Sequence, residues 1–393
     1  MDIKNLLSVH QLSKSYGIKT LFTDLTFGIS EGEKIAIVAK NGSGKSTLMR
    51  TLMDPAIADS GTISYRKGIK LRYLKQYPEF TPGQTVRDVL YQSEHPGLEA
   101  LRQYESIVAG GGDSHVMQLA LDKVEATGGW TIDGRIQEMH GKMNLPAMDR
   151  IIDKFSGGEI KRLAMAQLFI EEPDLILMDE PTNHLDLDII EWLEEYLIGY
   201  KGALLMITHD RYFLERVCGT IYELDNQAFF KYDGNYSYFL EKKELRETNE
   251  AANLHKVKQL FKKELDWMRR TPSARTGKAK DRIDRFGEVK KLAKQRVDNR
   301  EVSLAINSQR LGGKILELHK VGKSFPDKLL IESFNYTFKK GERVGIVGPN
   351  GSGKSTLLKM ILGEEAPSKG KIITGDTVIF GHYSQGGIAK KDH

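Results

Sequence analysis

Three short apolar runs, with no polar residue at alternate positions, frame the first half of this chain. They are Lys34-Ile35-Ala36-Ile37-Val38, Asp174-Leu175-Ile176-Leu177-Met178 and Ala203-Leu204-Leu205-Met206-Ile207. Runs of that length suit strands covered on both faces, as in a parallel sheet. Helical spacing fills the gaps between them, with a helix starting near Lys45 and others over Glu159–Ile170 and Asp188–Ile198. Leu6–His10 and Leu25–Ile29 read as further strands ahead of the first run. Strands in alternation with helices predict an α/β domain, residues 1–240, built on a largely parallel sheet. The stretch from about Thr85 to Leu145 carries helix-like patches broken at His95-Pro96-Gly97 and Gly110-Gly111-Gly112. It is read as a helical insert, about 85–150.

Beyond residue 240 the pattern changes. Leu254, Val257, Phe261, Leu265 and Met268 keep spacings of three and four, Thr271-Pro272-Ser273 interrupts them, and Ile283, Phe286, Val289, Ala293 and Val297 resume the series. Two amphipathic helices around a Pro-containing turn predict an antiparallel hairpin linker over 241–311. After it the first domain begins again. Tyr16 and Phe325, Glu33 and Glu342, Lys45 and Lys354, Gly61 and Gly370, and Gln76 and Gln385 all stand 309 residues apart. Five landmarks on one ungapped offset mark a duplicated domain. The second copy, 312–393, ends eight residues past Gln385. It is expected to hold only the N-terminal part of a second domain.

Composition alters this picture little: 40% of residues are apolar and 28% charged. No apolar run approaches the roughly 20 residues that span a bilayer, and Met1-Asp2-Ile3-Lys4-Asn5 lacks the layout of a secretory signal. A single cysteine, Cys218, excludes an internal disulfide and reads as a buried filler. A cytoplasmic protein is expected. Charge is more telling than composition. Glu241 to Arg310 holds 20 Lys/Arg against 11 Asp/Glu within a chain of net charge +5, so the remainder is slightly acidic, at −4. A basic segment in an acidic chain points to a localised polyanion contact.

The candidate chemistry starts with two loops. Gly348-Pro349-Asn350-Gly351-Ser352-Gly353-Lys354-Ser355 matches G-x-x-x-x-G-K-[ST] between a strand and a helix. Its glycines let backbone N–H groups converge on phosphate oxygens, and the helix N-terminus adds partial positive charge. Lys354 would reach the outer phosphates, and Ser355, followed by Thr356, would ligate Mg²⁺. The first copy reads Ala39-Lys40-Asn41-Gly42-Ser43-Gly44-Lys45-Ser46-Thr47, with alanine at the first glycine. That methyl is expected to crowd the loop entry or shift its backbone, though not to abolish nucleotide binding. Ser156-Gly157-Gly158-Glu159 opens a helix; alone it is no more than an N-cap signal. Asp179-Glu180 ends one buried run and His209 follows another. Asp179 at a strand end suits a Mg²⁺ held through water, and Glu180 suits polarisation of an attacking water. Two adjacent carboxylates there are costly without such partners.

This order of motifs resembles the ATP-binding cassette superfamily. Pro181-Thr182-Asn183-His184-Leu185-Asp186, His209-Asp210-Arg211 and Tyr232-Asp233-Gly234-Asn235-Tyr236-Ser237 resemble its ABC-F class, with two fused cassettes and no membrane domain. The segment Trp267–Lys280, with Arg282-Ile283-Asp284-Arg285-Phe286, resembles the linker of the Uup branch. The resemblance implies a P-loop ATPase fold and ATP with Mg²⁺. It implies adenine stacking on Tyr16 and Phe325, and Mg²⁺ and water sensing by Gln76 and Gln385. Glu180 would be the catalytic base and His209 a γ-phosphate contact. Ser156 and Gly158 would reach the nucleotide of the opposite cassette, and Asp186 would lie in the loop between cassettes.

In the linker Arg269, Arg270, Arg275, Lys278, Lys280 and Arg282 cluster about the turn, a charge density suited to a phosphate backbone. The class resemblance implies the ribosome and tRNA as partners. The Uup likeness keeps branched DNA as an alternative, and a transporter's ATP-binding subunit is a further one. The cassette resemblance implies that a working site pairs one cassette's loop with the other's Ser-Gly-Gly segment. Within these residues neither pair is complete, so weak hydrolysis is expected unless further sequence or another copy supplies the missing half.

Overall fold

A computed structural model describes residues 4–92, 95–111, 113–270, 286, 315–325, 328–349, 351–375 and 377–382, with the side chains of 267–270 and 328 left aside. The chain divides into two compact units, Met1–Asp298 and Asn299–His393.

The first unit opens with β1 (Asn5–Tyr16) and β2 (Lys19–Ser30), an antiparallel pair turning tightly at Gly17-Ile18. Then come β3 (Lys34–Ala39), α1 (Lys45–Met53), β4 (Ser60–Tyr65) and β5 (Leu71–Leu74). The helical insert supplies α2 (Val86–Leu90), α3 (Pro96–Ala109), α4 (Ser114–Ala126) and α5 (Gly129–Lys142). After it follow α6 (Gly157–Ile170), β6 (Leu175–Asp179), α7 (Leu187–Gly199), β7 (Ala203–Ile207) and α8 (Arg211–Val217). The unit's last elements are β8 (Thr220–Asp225), β9 (Ala228–Asp233) and α9 (Tyr236–Arg270).

β2-β1-β4 form one antiparallel sheet, and β5-β6-β7-β3-β8-β9 form a second, parallel from β5 to β8 and closed by the antiparallel hairpin β8–β9. The missing alternation of the apolar runs now has its cause. Leu175, Leu177, Ala203, Leu205 and Ile207 face the antiparallel sheet and α1, whereas Ile176, Met178, Leu204 and Met206 face the helices. Both faces of these strands are covered by apolar layers, so no position is left for a polar residue. Cys218 is buried, and burial pushes its thiol up to about 12, as befits a filler.

Helix α9 crosses residue 240 without a break. Phe239 anchors its first turns in the core. Glu223 on β8, almost fully buried, binds Lys243 at 2.7 Å and Arg246 at 2.8 Å, and accepts a hydrogen bond from the Tyr232 hydroxyl at 3.2 Å. Arg246 also lies over the Phe230 ring, 3.8 Å from its centre. Further along, Phe261 stacks on Phe286 with ring centres 5.5 Å apart. A continuous helix would separate residues 25 apart by about 37 Å. The two rings are therefore not spaced by an unbroken helix. The turn at Thr271-Pro272-Ser273 itself lies outside the described residues.

The second unit repeats the antiparallel sheet. β10 (Leu316–Phe325), β11 (Lys328–Phe338), α10 (Lys354–Ile361) and β12 (Lys369–Thr374) follow in sequence, and the strands stand in the order β11-β10-β12. The 309-residue offset holds in detail. The bulge between Val9 and Leu12 recurs between Leu318 and Val321, and Gln11 (φ 50°) matches Lys320 (φ 51°). A Cβ on Gly61 would stand 2.5 Å from the Gln11 carbonyl oxygen, and one on Gly370 2.2 Å from that of Lys320, so both bulges require glycine. Among the described residues, 343–347 join no sheet, and Val347 is 92% exposed where its counterpart Val38 is packed.

Candidate nucleotide site

The ends of β1, β3, β6 and β7 converge on a cleft of about 720 Å³. At its rim Tyr16, 55% exposed, ends β1 with the Lys14 ammonium over its ring. The floor is the loop from β3 to α1, where Gly42 (φ 74°) and Gly44 (φ 102°) take backbone angles that favour glycine. Gly44 is additionally crowded: a Cβ there would come within 2.9 Å of Leu21 Cβ. The loop presents Asn41, Lys45, Ser46 and Thr47 to the cleft. Gln76 enters from the segment after β5, Asp179 and Glu180 from the end of β6, and His209 from the end of β7. Every first-copy residue expected to touch ATP or Mg²⁺ lines this cleft except Ser43, whose hydroxyl is buried with no hydrogen-bond partner.

Hydrogen bonds fix the reactive groups. The Lys45 ammonium donates to the Ala39 carbonyl at 2.8 Å and lies 3.2 Å from His209 Nε2. Burial lowers its pKa, opposed by the charges of Glu180 and Asp179. Glu180 is nearly buried and sits at φ 50°, an uncommon state for a residue with a side chain. Its carboxylate accepts the His209 amide at 3.3 Å and approaches His209 Nε2 at 3.6 Å. Burial raises the Glu180 pKa, with His209 pulling it back. Tyr73 on β5 is raised in pKa by burial and by the nearby Asp179 carboxylate.

The second loop has the same form. Gly351 (φ 74°) and Gly353 (φ 96°) repeat the glycine angles, and Lys354 donates to the Gly348 carbonyl at 2.6 Å. Phe325, 46% exposed, ends β10 beneath Lys323 as Tyr16 ends β1 beneath Lys14. Ser352, Ser355 and Thr356 lie in the loop and the first turn of α10, while Asn350 and Gln385 lie outside the described residues. Neither Ala39 nor Gly348 has a positive φ, and each gives its carbonyl to the loop lysine. The crowding is local: a Cβ on Gly348 would stand 3.1 Å from the hydroxyl of Ser352, the counterpart of Ser43.

Ser156, Gly157, Gly158 and Glu159 do not line the cleft. Ser156 caps α6 in a reciprocal box, its hydroxyl accepting the Glu159 amide at 3.3 Å and its own amide donating to the Glu159 carboxylate at 2.8 Å. Arg269 and Arg270 end α9, and Arg275, Lys278, Lys280 and Arg282 lie outside the described residues. Sequence reasoning missed Lys19, Asn183 and Tyr73, and two buried cations of α6, Lys161 and Arg162. Lys19 lines the cleft and donates to the Gly42 carbonyl at 2.9 Å. Its signal was present, since Lys328 stands 309 residues on.

A family model described as ABC transporter matches residues 22–183 and again 331–387, and a second model of that description matches 222–304. The ABC transporter ATP-binding protein YfmR of Bacillus subtilis is 38% identical over 389 residues, 97% of this chain and 62% of that protein. The energy-dependent translational throttle protein EttA of Haemophilus influenzae is 35% identical over 394 residues, 98% of this chain and 71% of that one. The chain thus spans less than two thirds of the first relative's length. A solved ATP binding subunit of an ABC transporter matches 58% of the chain and 90% of its own at 23% identity and a TM-score of 0.45.

Proposed function

The chain belongs to the ABC transporter ATP-binding family, and from that premise we propose that its first cassette binds and hydrolyses ATP as an ABC-F factor. The observation that carries this reading is the single cleft joining Tyr16, Lys45, Ser46, Gln76, Asp179, Glu180 and His209. An ATP molecule stacked on Tyr16 would lay its phosphates on the loop amides and Lys45. Its γ-phosphate would then end beside His209 and Glu180. The Ser46 hydroxyl, the Gln76 amide and the Asp179 carboxylate are hard oxygen donors lining one cleft, a donor set of the kind Mg²⁺ takes. Among the described residues no cluster of three His, Cys, Asp or Glu side chains would hold a metal by itself. Glu180, with its raised pKa, would take the proton of the attacking water, while His209 and Lys45 offset charge on the γ-phosphate.

Closure over this site needs a Ser-Gly-Gly segment other than the cassette's own. Residues 1–393 contain one such segment, so another copy or further polypeptide would supply it. The basic linker is the proposed polyanion contact, with the ribosome and tRNA as partners. One relative gives this direction: EttA, 35% identical over 98% of this chain, is named a translational throttle protein. Among the described residues no helix is long and apolar enough to cross a membrane.

Co-sedimentation of Glu180→Gln with ribosomes tests the reading. ATP-dependent retention, reversed by 0.5 M salt as phosphate contacts would be (roughly tenfold or more per tripling of salt), is the expected result. Equal recovery with and without ATP would sink the coupling. The Uup-like reading gains if the variant instead retains branched DNA and leaves ribosomes in the supernatant.

A further inference from the structure

Helix α6 holds two adjacent buried cations in an otherwise apolar stretch. Lys161 is 1% exposed, and its ammonium donates to the backbone carbonyl of Glu180. Arg162, also buried, places its guanidinium 3.5 Å from Asp186. One turn of one helix thus grips both ends of the segment from Glu180 to Asp186. The other backbone group of Glu180 is held from β7, where its N–H donates to the Ile207 carbonyl at 2.7 Å. With both its N–H and its carbonyl fixed, Glu180 keeps its left-handed backbone angle and aims its carboxylate at His209. A buried ammonium is costly unless paired. Here Asp179 and Glu180 offset that cost, and burial brings the lysine down to about 8.

We infer that Lys161 is a positioning residue that ties the Ser-Gly-Gly helix to the carboxylate of its own cassette's site. Lys161 stands five residues from Ser156, about 7.5 Å along the helix axis. The Ser156–Glu159 box makes the intervening turn a fixed unit. A displacement of the Ser-Gly-Gly end by whatever closes over it reaches Glu180 through this ammonium, whose carbonyl partner is otherwise held by the Asn183 amide of the following turn at 3.3 Å. Occupancy of one ATP site would then set the water-polarising group of the other. The inference rests on the proposed roles of Glu180 and Ser156. It adds to them a mechanical link that no sequence motif marks.

Lys161→Met removes the donor and keeps an unbranched apolar chain of similar length. ATP affinity is expected to stay within about threefold, because the phosphate loop is untouched, while turnover falls about 100-fold. The double variant with Glu180→Gln is expected to be no slower than Glu180→Gln alone, since both lesions remove one function. Independent multiplicative losses would overturn the inference, as would unchanged turnover in Lys161→Met. A crystal structure of Lys161→Met decides separately from turnover: the Glu180 carboxylate should leave the His209 amide, and its retention there would refute the link. If wild type and Glu180→Gln hydrolyse ATP equally, the role of Glu180 falls, yet the structural arm still judges Lys161.

Discussion

The base of α9 offers the sharpest energetic test. Glu223→Gln replaces a carboxylate, about 5% exposed, that serves Lys243 at 2.7 Å and Arg246 at 2.8 Å. Breaking a fully buried ion pair from one side costs about 3–5 kcal/mol, because the partner charge is stranded. Here the cations are not fully stranded. Arg246 keeps Asp225 at 3.6 Å and Glu250 at 3.7 Å, Lys243 keeps Glu247 at 3.8 Å, and both side chains retain some solvent. Glutamine also still accepts one hydrogen bond. The expected loss is therefore about 2–3 kcal/mol. At roughly 2–4 °C per kcal/mol for a domain of this size, the melting temperature should fall by about 5–10 °C. Thermal melts followed by circular dichroism at low salt and at 0.5 M NaCl provide the assay. A buried pair is screened little, so the deficit should persist at high salt. A loss below about 0.5 kcal/mol, or one that vanishes with salt, would show that Glu223 behaves as a surface ion pair. In that case the docking of α9 would rest on Phe239, the Arg246–Phe230 stack and the Ser237 amide bound to Glu215.

Three further outcomes are expected. Gly44→Ala should cost more stability and nucleotide affinity than Gly353→Ala, because its Cβ would meet Leu21 at 2.9 Å where the other meets Leu330 at 3.3 Å; equal effects in melts and ATP titrations would contradict this. Glu180→Gln should raise the melting temperature of the nucleotide-free protein at pH 7. The folded pKa of Glu180 lies above the unfolded value, so its protonated form stabilises the fold at low pH and that contribution is lost as pH rises through the folded pKa. The advantage of the variant should accordingly shrink on acidification towards pH 4.5, and a pH-independent difference would refute the assignment. Neutralising Arg269, Arg270 and Arg275 together should weaken RNA binding and flatten its salt dependence by up to about three units of log–log slope, at roughly 0.7–0.9 per phosphate contact. An unchanged slope in filter binding would remove the polyanion role.

The parts legible in the sequence share one property: their side chains are constrained by position along the chain. β3, β6 and β7 were readable because strands covered on both faces leave no polar site, and Asp179, Glu180 and His209 were readable because they follow such strands. The 309-residue offset exposed the repeat before any contact was known. The β8–β9 hairpin passed unread: its turn is Asn226-Gln227, both at positive φ, and glutamine gives no turn signal. Lys161 and Arg162 passed unread for a different reason. A cation in a helix reads as solvent-facing, and nothing in the local sequence shows that a carbonyl and a carboxylate wait beneath it. Ser156 was legible both as a cap and as part of a longer motif, and the box with Glu159 shows the cap to be formed.

The continuity of α9 has a geometric consequence. From Arg246, where Glu223 and Phe230 hold the helix, to its end at Arg270 is 24 residues. At 1.5 Å per residue the free arm is about 36 Å long. A rigid arm of that length turns a 10° rotation at its root into about 6 Å of travel at its tip. That distance is close to the separation of successive phosphates along a nucleic-acid strand. On the proposed polyanion contact, a turn of about 10° in the cassette around β8 and β9 would thus carry the basic end by roughly one phosphate spacing.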